Sequence, residues 1–228
     1  MGGENFRKNL VTVPSCEVHN THKSKDDEFL MVSLAGLIGN NSIGYRHRFG
    51  KVNRAIRRSS DRLLQAAFKS RSHRVLEVRK NHFIEVIWGT PDYDRLLVCF
   101  EHVARGIFFS HYGRVFDGFL RIYLGFVTPD QENAKTFKAL IANKAEIDLK
   151  DKQKVGANQE VFYYQVVPPD PLGFSLLHLV FYGGVHVYVA LGEGIKEKPF
   201  HLGWALMGAG IKTIFTVGDK EYVFNKKI

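Results

Sequence analysis

Cys16 and His19 stand three residues apart, just past the Pro14-Ser15 turn. A turn at this point brings a sulfur and an imidazole nitrogen to one side of the chain, where both can ligate one metal ion. Two ligands are half of a structural zinc site, which normally takes four. Asn20, His22 and Lys23 follow directly, and the polar cluster runs into Ser24 and Asp26-Asp27-Glu28. His22 is a spare candidate ligand that reads better as an exposed polar side chain. Upstream, Asn9-Leu10-Val11-Thr12-Val13 is a short, mostly apolar run with the pattern of a strand.

The order Asn-Leu-Val-Thr-Val, then Cys-x-x-His, then Asn-x-x-Lys-Ser opening a helix resembles the second half of the HNH endonuclease motif. The resemblance covers roughly residues 2–30. It implies a ββα-metal module of which this chain carries a truncated form. Cys16 and His19 would then be the second pair of structural Zn²⁺ ligands, with His in place of the commoner Cys. Asn9 would match the central Asn, which orients the neighbouring catalytic histidine. Asn20 would match the last motif residue and help to bind a catalytic Mg²⁺ or another divalent cation. Lys23 would match the basic residue that often follows and would contact nucleic acid. The same resemblance places the first Cys pair and the first motif His ahead of Gly2-Gly3, outside this chain. The expected activity of the complete form is metal-dependent hydrolysis of DNA phosphodiesters, impaired where the general-base His is lacking.

Around this stretch the elements are laid out by pattern. A helix is expected to start at Ser24, with Asp26 and Glu28 near its positive end, and to stop at Gly39-Asn40-Asn41. A second helix is expected from about Gly50 to Ser70, with Val52, Ile56, Leu63 and Ala67 on its apolar face and Arg54, Arg57, Arg58 and Arg62 elsewhere. From Arg46 to Lys80, twelve Lys or Arg stand against Asp61 and Glu77. The whole chain carries a net charge of +9, so its basicity is a patch. A solvated helix normally interleaves counter-charges, and their scarcity here points to phosphate contacts by Arg54, Arg57, Arg58 and Arg62. Few aromatics interrupt this stretch, which favours a duplex backbone over stacking on a single strand.

Period-two alternation then predicts a hairpin over 75–87 turning at Asn81-His82. A helix is expected from Thr90-Pro91, with Leu96, Phe100, Val103, Ala104 and Ile107 inward and Cys99 a small core residue. His102 and His111 lie on it with no carboxylate at matched spacing. Thr128-Pro129-Asp130-Gln131 has the form of a capping box. The remainder is strand-rich, with Gly183-Gly184 expected as a type I′ turn between two apolar runs. That break and the histidines His178 and His186 exclude a membrane span over Leu172–Leu191. Two cysteines make no disulfide framework, and a cytoplasmic location is expected.

The fold class expected is α+β: a partial HNH-like module (1–44), a basic helical connector (45–72) and a mostly antiparallel sheet packed with helices (73–228). DNA is the expected partner; the sequence leaves the oligomeric state open. Two alternatives stand beside the nuclease: a non-catalytic nucleic-acid-binding protein, and an α+β domain that binds a partner or ligand and carries a remnant motif.

Overall fold

The computed structural model describes residues 12–13, 17–60, 62–128, 131–194 and 201–226, with backbone alone for 17–24, 78 and 84–88. The fold is α+β. Its centre is a four-stranded antiparallel sheet in the order β3 (Gly118–Leu124), β6 (Val185–Glu193), β5 (Phe174–Phe181), β4 (Phe162–Val167). Alternation sends Leu177, Leu179, Val187, Val189 and Leu191 to one face, where they share a buried cluster with Leu96, Phe100, Ala104 and Phe108 of α5 (Tyr93–Tyr112). The opposite face presents Tyr188, Tyr123 and Leu176 to Ala145 and Leu149 of α6 (Ala134–Leu149). Burial on both faces explains the near-continuous apolar runs of β5 and β6.

Helix α5 has the clearest local grammar. Asp92 is its N-cap and accepts from the Arg95 amide at 3.3 Å, and Gly113 closes it in the left-handed conformation at φ 71°. Pro91, expected as the first helical residue, is instead the last residue of β2 (His82–Pro91), opposite Phe68. Asp92 supplies the cap that Pro cannot. The expected capping box at Thr128 is also not the start of α6. Thr128 accepts from Lys138 Nζ at 3.2 Å, and residues 129–130 lie outside the described residues. Asn133, just before the helix, forms two bonds with Asn225 at 2.7 and 3.1 Å.

The N-terminal half is a helical layer. Helix α1 spans Glu17–Leu34, seven residues earlier at its start than expected, because no Gly or Pro interrupts 17–23. It ends before Gly39 because Asn40 folds back, and its buried side-chain amide donates to the Leu34 carbonyl at 2.7 Å. The expected single helix over 50–70 is instead the end of a π-turn and two short helices, and it gives way to a strand at Phe68. Helix α2 (Ser42–His47) runs into a π-turn (Arg48–Val52), where the Asn53 amide donates to the Arg48 carbonyl five residues back, and then into α3 (Asn53–Arg58). Ser60, at φ 48°, breaks the rod before α4 (Arg62–Ala67). Val52, Ile56 and Leu64 join Phe29 in the same buried cluster as the sheet, so the expected boundary at 44/45 falls within one core. The boundary at 72/73 falls inside β1 (Phe68–Arg79).

Two contacts hold this layer down. Arg95 of α5 bonds Asp26 of α1 at 3.0 Å and lies 4.2 Å over the Phe29 ring. At the other end, the Asn41 amide donates to the Tyr182 carbonyl at 2.8 Å, and its side chain donates to Glu160 O at 2.7 Å. The Tyr182-Gly183-Gly184 turn differs from the expected type I′ form: positive φ falls on Tyr182 (51°) and Gly183 (68°), not on both glycines. Gly184 serves another need, since a Cβ there would collide with the Gly39 carbonyl and the Asn40 amide. The C-terminal unit is a second hairpin, β7 (Thr213–Val217) and β8 (Lys220–Phe224), with α7 (Leu202–Gly208); Tyr222 and Phe224 pack on Leu140 of α6.

Gly184→Ala should therefore destabilise the protein by about 1–3 kcal/mol, the usual cost of overpacking a site that cannot relax. Urea unfolding measures it; a loss well under 1 kcal/mol would mean that the two backbones can separate freely.

Candidate nucleic-acid interface and a sealed histidine pair

The arginines singled out in the sequence sit where a polyanion can reach them. Val52 and Ile56 turn inward, which leaves Lys51, Arg54, Arg57 and Arg58 exposed on the π-turn and α3. Among the described residues no carboxylate pairs with Arg54, Arg57 or Arg58. Ser59 builds the corner that follows. Its hydroxyl donates to the Ile56 carbonyl at 2.8 Å and accepts from the Leu63 amide at 3.3 Å. Arg62 is exposed just beyond, tied only to the Ser59 carbonyl at 3.1 Å. The four arginines thus bracket one corner between two short helices.

Not every cation of the basic stretch belongs to this face. Lys69 is held by Asp94 at 3.0 Å and Asp92 at 3.5 Å, and the Asp94 hydrogen bond raises its pKa. The stretch is also not a helical connector throughout: from Phe68 on it is the first strand of an antiparallel hairpin, β1–β2, paired from Phe68↔Pro91 to Arg79↔His82. Its turn is at Lys80-Asn81, one residue before the expected Asn81-His82, with Asn81 at φ 61°. The Asn81 amide donates to Glu77 at 2.8 Å.

The N-terminal candidates are only partly visible. Asn9 and Cys16 lie outside the described residues, as do Leu10 and Val11 of the strand expected over 10–13; Thr12 and Val13 are described and are not in a strand. His19, Asn20, His22 and Lys23 fall in the first two turns of α1, whose side chains there are also outside the description. Helix α1, whose first turns bear these residues, packs against α4 and the π-turn, and its buried apolar side chains are Phe29, Val32 and Leu34. Among the described residues no group of three or more His, Cys, Asp or Glu is arranged to hold a metal ion. Zinc and magnesium therefore rest on residues 9–20 alone. Cys99 is a buried core thiol, pushed up to about 12 first by burial and then by Asp26.

One chemistry-bearing cluster escaped the sequence reading. His178 on β5 and His186 on β6 are diagonal neighbours across the antiparallel pair, with His178 Nε2 3.1 Å from His186 Nδ1. His178 also stacks face to face on Tyr188, centroids 4.7 Å apart and rings 2° from parallel. Its Nδ1 is buried without a hydrogen-bond partner among the described residues. Burial, then His186 and Lys154, lowers the His178 pKa to about 4; burial, opposed by a hydrogen bond with the Gly183 backbone and aided by the charge of Lys138, lowers that of His186. Among the described residues no carboxylate bonds either ring, so two neutral imidazoles joined by one hydrogen bond lie on the sheet face that carries Tyr188. The sign in the sequence was a pair of histidines flanking Gly183-Gly184 inside otherwise apolar strands.

No family model, curated protein or solved structure matches this chain. Among the described residues no helix is long and apolar enough to cross a membrane.

Because His178 is harder to protonate folded than unfolded, its contribution to stability is whole above pH 6.5 and is lost as pH falls toward 4. The loss should reach about 3 kcal/mol, at 1.36 kcal/mol per pKa unit. Unfolding midpoints between pH 7 and pH 4 measure it, and His178→Leu should flatten the profile; an unchanged slope in that variant would refute the assignment.

Proposed function

We propose that this chain is a DNA-binding protein related to the HNH endonucleases. In this reading residues 9–23 contribute to a metal site and the α3–α4 corner holds the phosphate backbone. The observation that carries it is the packing of α1, which opens on His19-Asn20-x-x-Lys23, against the helix that begins with Arg62. The helix whose sequence carries His19, Asn20 and Lys23 thus adjoins the one that carries Arg62.

Cys16 and His19 would hold a structural Zn²⁺, Asn20 would ligate a catalytic Mg²⁺ or similar cation, and Asn9 would position the neighbouring histidine. A divalent cation supplies Lewis-acid stabilisation of the charge that develops on the phosphate. Lys23, Arg54, Arg57, Arg58 and Arg62 would bind the flanking phosphates and fix the register of the duplex. Hydrolysis also needs a general base within reach of the attacking water. The HNH resemblance gives that role to the first His of the motif. The non-catalytic reading keeps the same basic corner and dispenses with that base; the completeness of the corner within 51–62 favours it as the second reading.

Binding of a duplex DNA should weaken steeply with salt, and Arg57→Ala with Arg58→Ala should lower the slope of log K against log[salt] by about 2, at roughly 0.9 per phosphate contact. Asn20→Ala should leave this affinity intact. Plasmid nicking with Mg²⁺ or Mn²⁺, by the chain alone and with an N-terminal segment bearing Cys-x-x-Cys and His, separates the two readings: binding without nicking in either form leaves only the non-catalytic one. Absence of both DNA and metal affinity would sink both and favour a ligand-binding α+β domain.

A further inference from the structure

The hairpin β1–β2 is built unlike the rest of the protein. Residues 72–77 and 79–83 are all exposed, among them Val75 at 67% and Phe83 at 62%. Two-stranded hairpins in globular proteins ordinarily bury one face, and an isolated one is marginal in water. Here the ladder is nonetheless long, from Phe68↔Pro91 to Arg79↔His82, with an irregularity between Glu77 and Arg79 that sharpens its twist near the tip. At the tip, Arg79, Lys80 and His82 are exposed together. Glu77, the nearest acid in sequence, is engaged by the turn through the Asn81 amide. The whole hairpin, residues 68–91, contains Lys69, Arg71, Arg74, Arg79 and Lys80 against Glu77 and Glu85, so its excess charge lies at the tip, in Arg79 and Lys80. At the base, Lys69 is fastened to Asp92 and Asp94, and α4 runs directly into the strand, so the arm springs from the corner that carries Arg62.

We infer that β1–β2 is an arm that enters the major groove of B-form DNA, with Arg79 and Lys80 at its leading end and Phe83 beside them, on the face that the register gives to Val75, Glu77 and Glu85. This rests on the DNA-binding reading and adds to it the element that reads the duplex. The dimensions agree. A two-stranded ribbon fits a groove about 12 Å wide and about 8.5 Å deep. From Ser72 to Lys80 the arm extends roughly 27 Å at about 3.4 Å per residue. The tip therefore reaches the groove floor while its base stays at the phosphate-binding corner. Cations at the tip suit the acceptor atoms of guanine edges, and apolar side chains beside them suit thymine methyls. The narrow major groove of A-form RNA would exclude the ribbon. The open strand edges and exposed apolar residues would also suit a second copy of this chain. Pairing two arms, however, brings Arg79 and Lys80 of each near the like charges of the other.

The test uses the full chain with a 25-base-pair duplex DNA, an RNA duplex of the same sequence, and dimethyl sulfate probing of guanine N7, which lies in the major groove. The wild type should prefer DNA and protect guanine N7 over one short segment. Arg79→Ala with Lys80→Ala should abolish that protection and lower the salt slope by about 2. Arg57→Ala with Arg58→Ala should weaken binding but keep the protection at saturation. If the wild type binds DNA with guanine N7 fully reactive, binds the RNA duplex equally well, or keeps its protection without the tip cations, the arm's role is refuted while DNA binding stands. If it binds no duplex, both fall. A sedimenting dimer that Phe83→Ser converts to a monomer would assign the arm to a second copy and overturn the inference.

Discussion

The backbone at Gly184 approaches the Gly39 carbonyl too closely for any side chain, and the rest of the architecture depends on that approach. It is the point where the helical layer is pinned to the sheet. Asn41 works from the same spot: its side chain caps α2 through the Ile43 and Gly44 amides, both at 3.1 Å, and also reaches the Glu160 carbonyl. Three chain segments distant in sequence are thus joined by main-chain groups, which a packed apolar contact could not orient so closely. His47 adds a bond to the Tyr182 hydroxyl at 3.2 Å. At the far end the same layer is held by the Asp26–Arg95 pair, shielded under Phe29. Anchored at both ends, α3 and α4 can hold their arginines at a fixed distance from the sheet.

The sheet itself is stabilised unequally on its two faces. The α5 side is wholly aliphatic and aromatic, and its long-range contacts draw on nearly every helix of the N-terminal layer. The α6 side is thinner and contains polar atoms that burial leaves unsatisfied, the Tyr123 hydroxyl and His178 Nδ1. Each such atom costs on the order of 1–3 kcal/mol relative to a paired one. The helical layer on the other side has two such atoms of its own, Ser33 Oγ and Asn40 Oδ1, so the faces differ in the extent of their apolar clusters and not in polar satisfaction.

Much of this was legible in the residues. Helix α5 was plain because its apolar positions recur every three or four residues, although its start was placed at Thr90-Pro91 and not after the Asp92 cap. The β5–β6 hairpin was plain because alternation and Gly183-Gly184 agree. The exposure of Arg54, Arg57, Arg58 and Arg62 followed from Val52 and Ile56 facing inward. What escaped depended on tertiary partners. Asn40 ends α1 by reaching across a turn, which no local pattern announces. Phe68 to Ser72 continued a helical pattern until pairing with β2 overrode it, since strand preference is set largely by neighbours. The tip cations were counted within the basic stretch, but their separation from the α3–α4 cluster is visible only once the hairpin is seen to project. Asn9 and Cys16 lie outside the described residues, so the metal-binding half of the candidate site stands on sequence.

The π-turn at Arg48–Val52 has a bearing on how such a chain changes over generations. A π-turn is an α-helix that has absorbed one extra residue. With it, Gly44 and Val52 are both buried although eight positions apart, a spacing that an uninterrupted α-helix turns by about 80°. The rod from Ser42 to Arg58 therefore behaves as a sixteen-residue helix carrying seventeen residues. The extra residue is taken up without turning Val52 and Ile56 away from the core. It also marks the place where length can vary while the inward face and the arginines beyond it keep their aim.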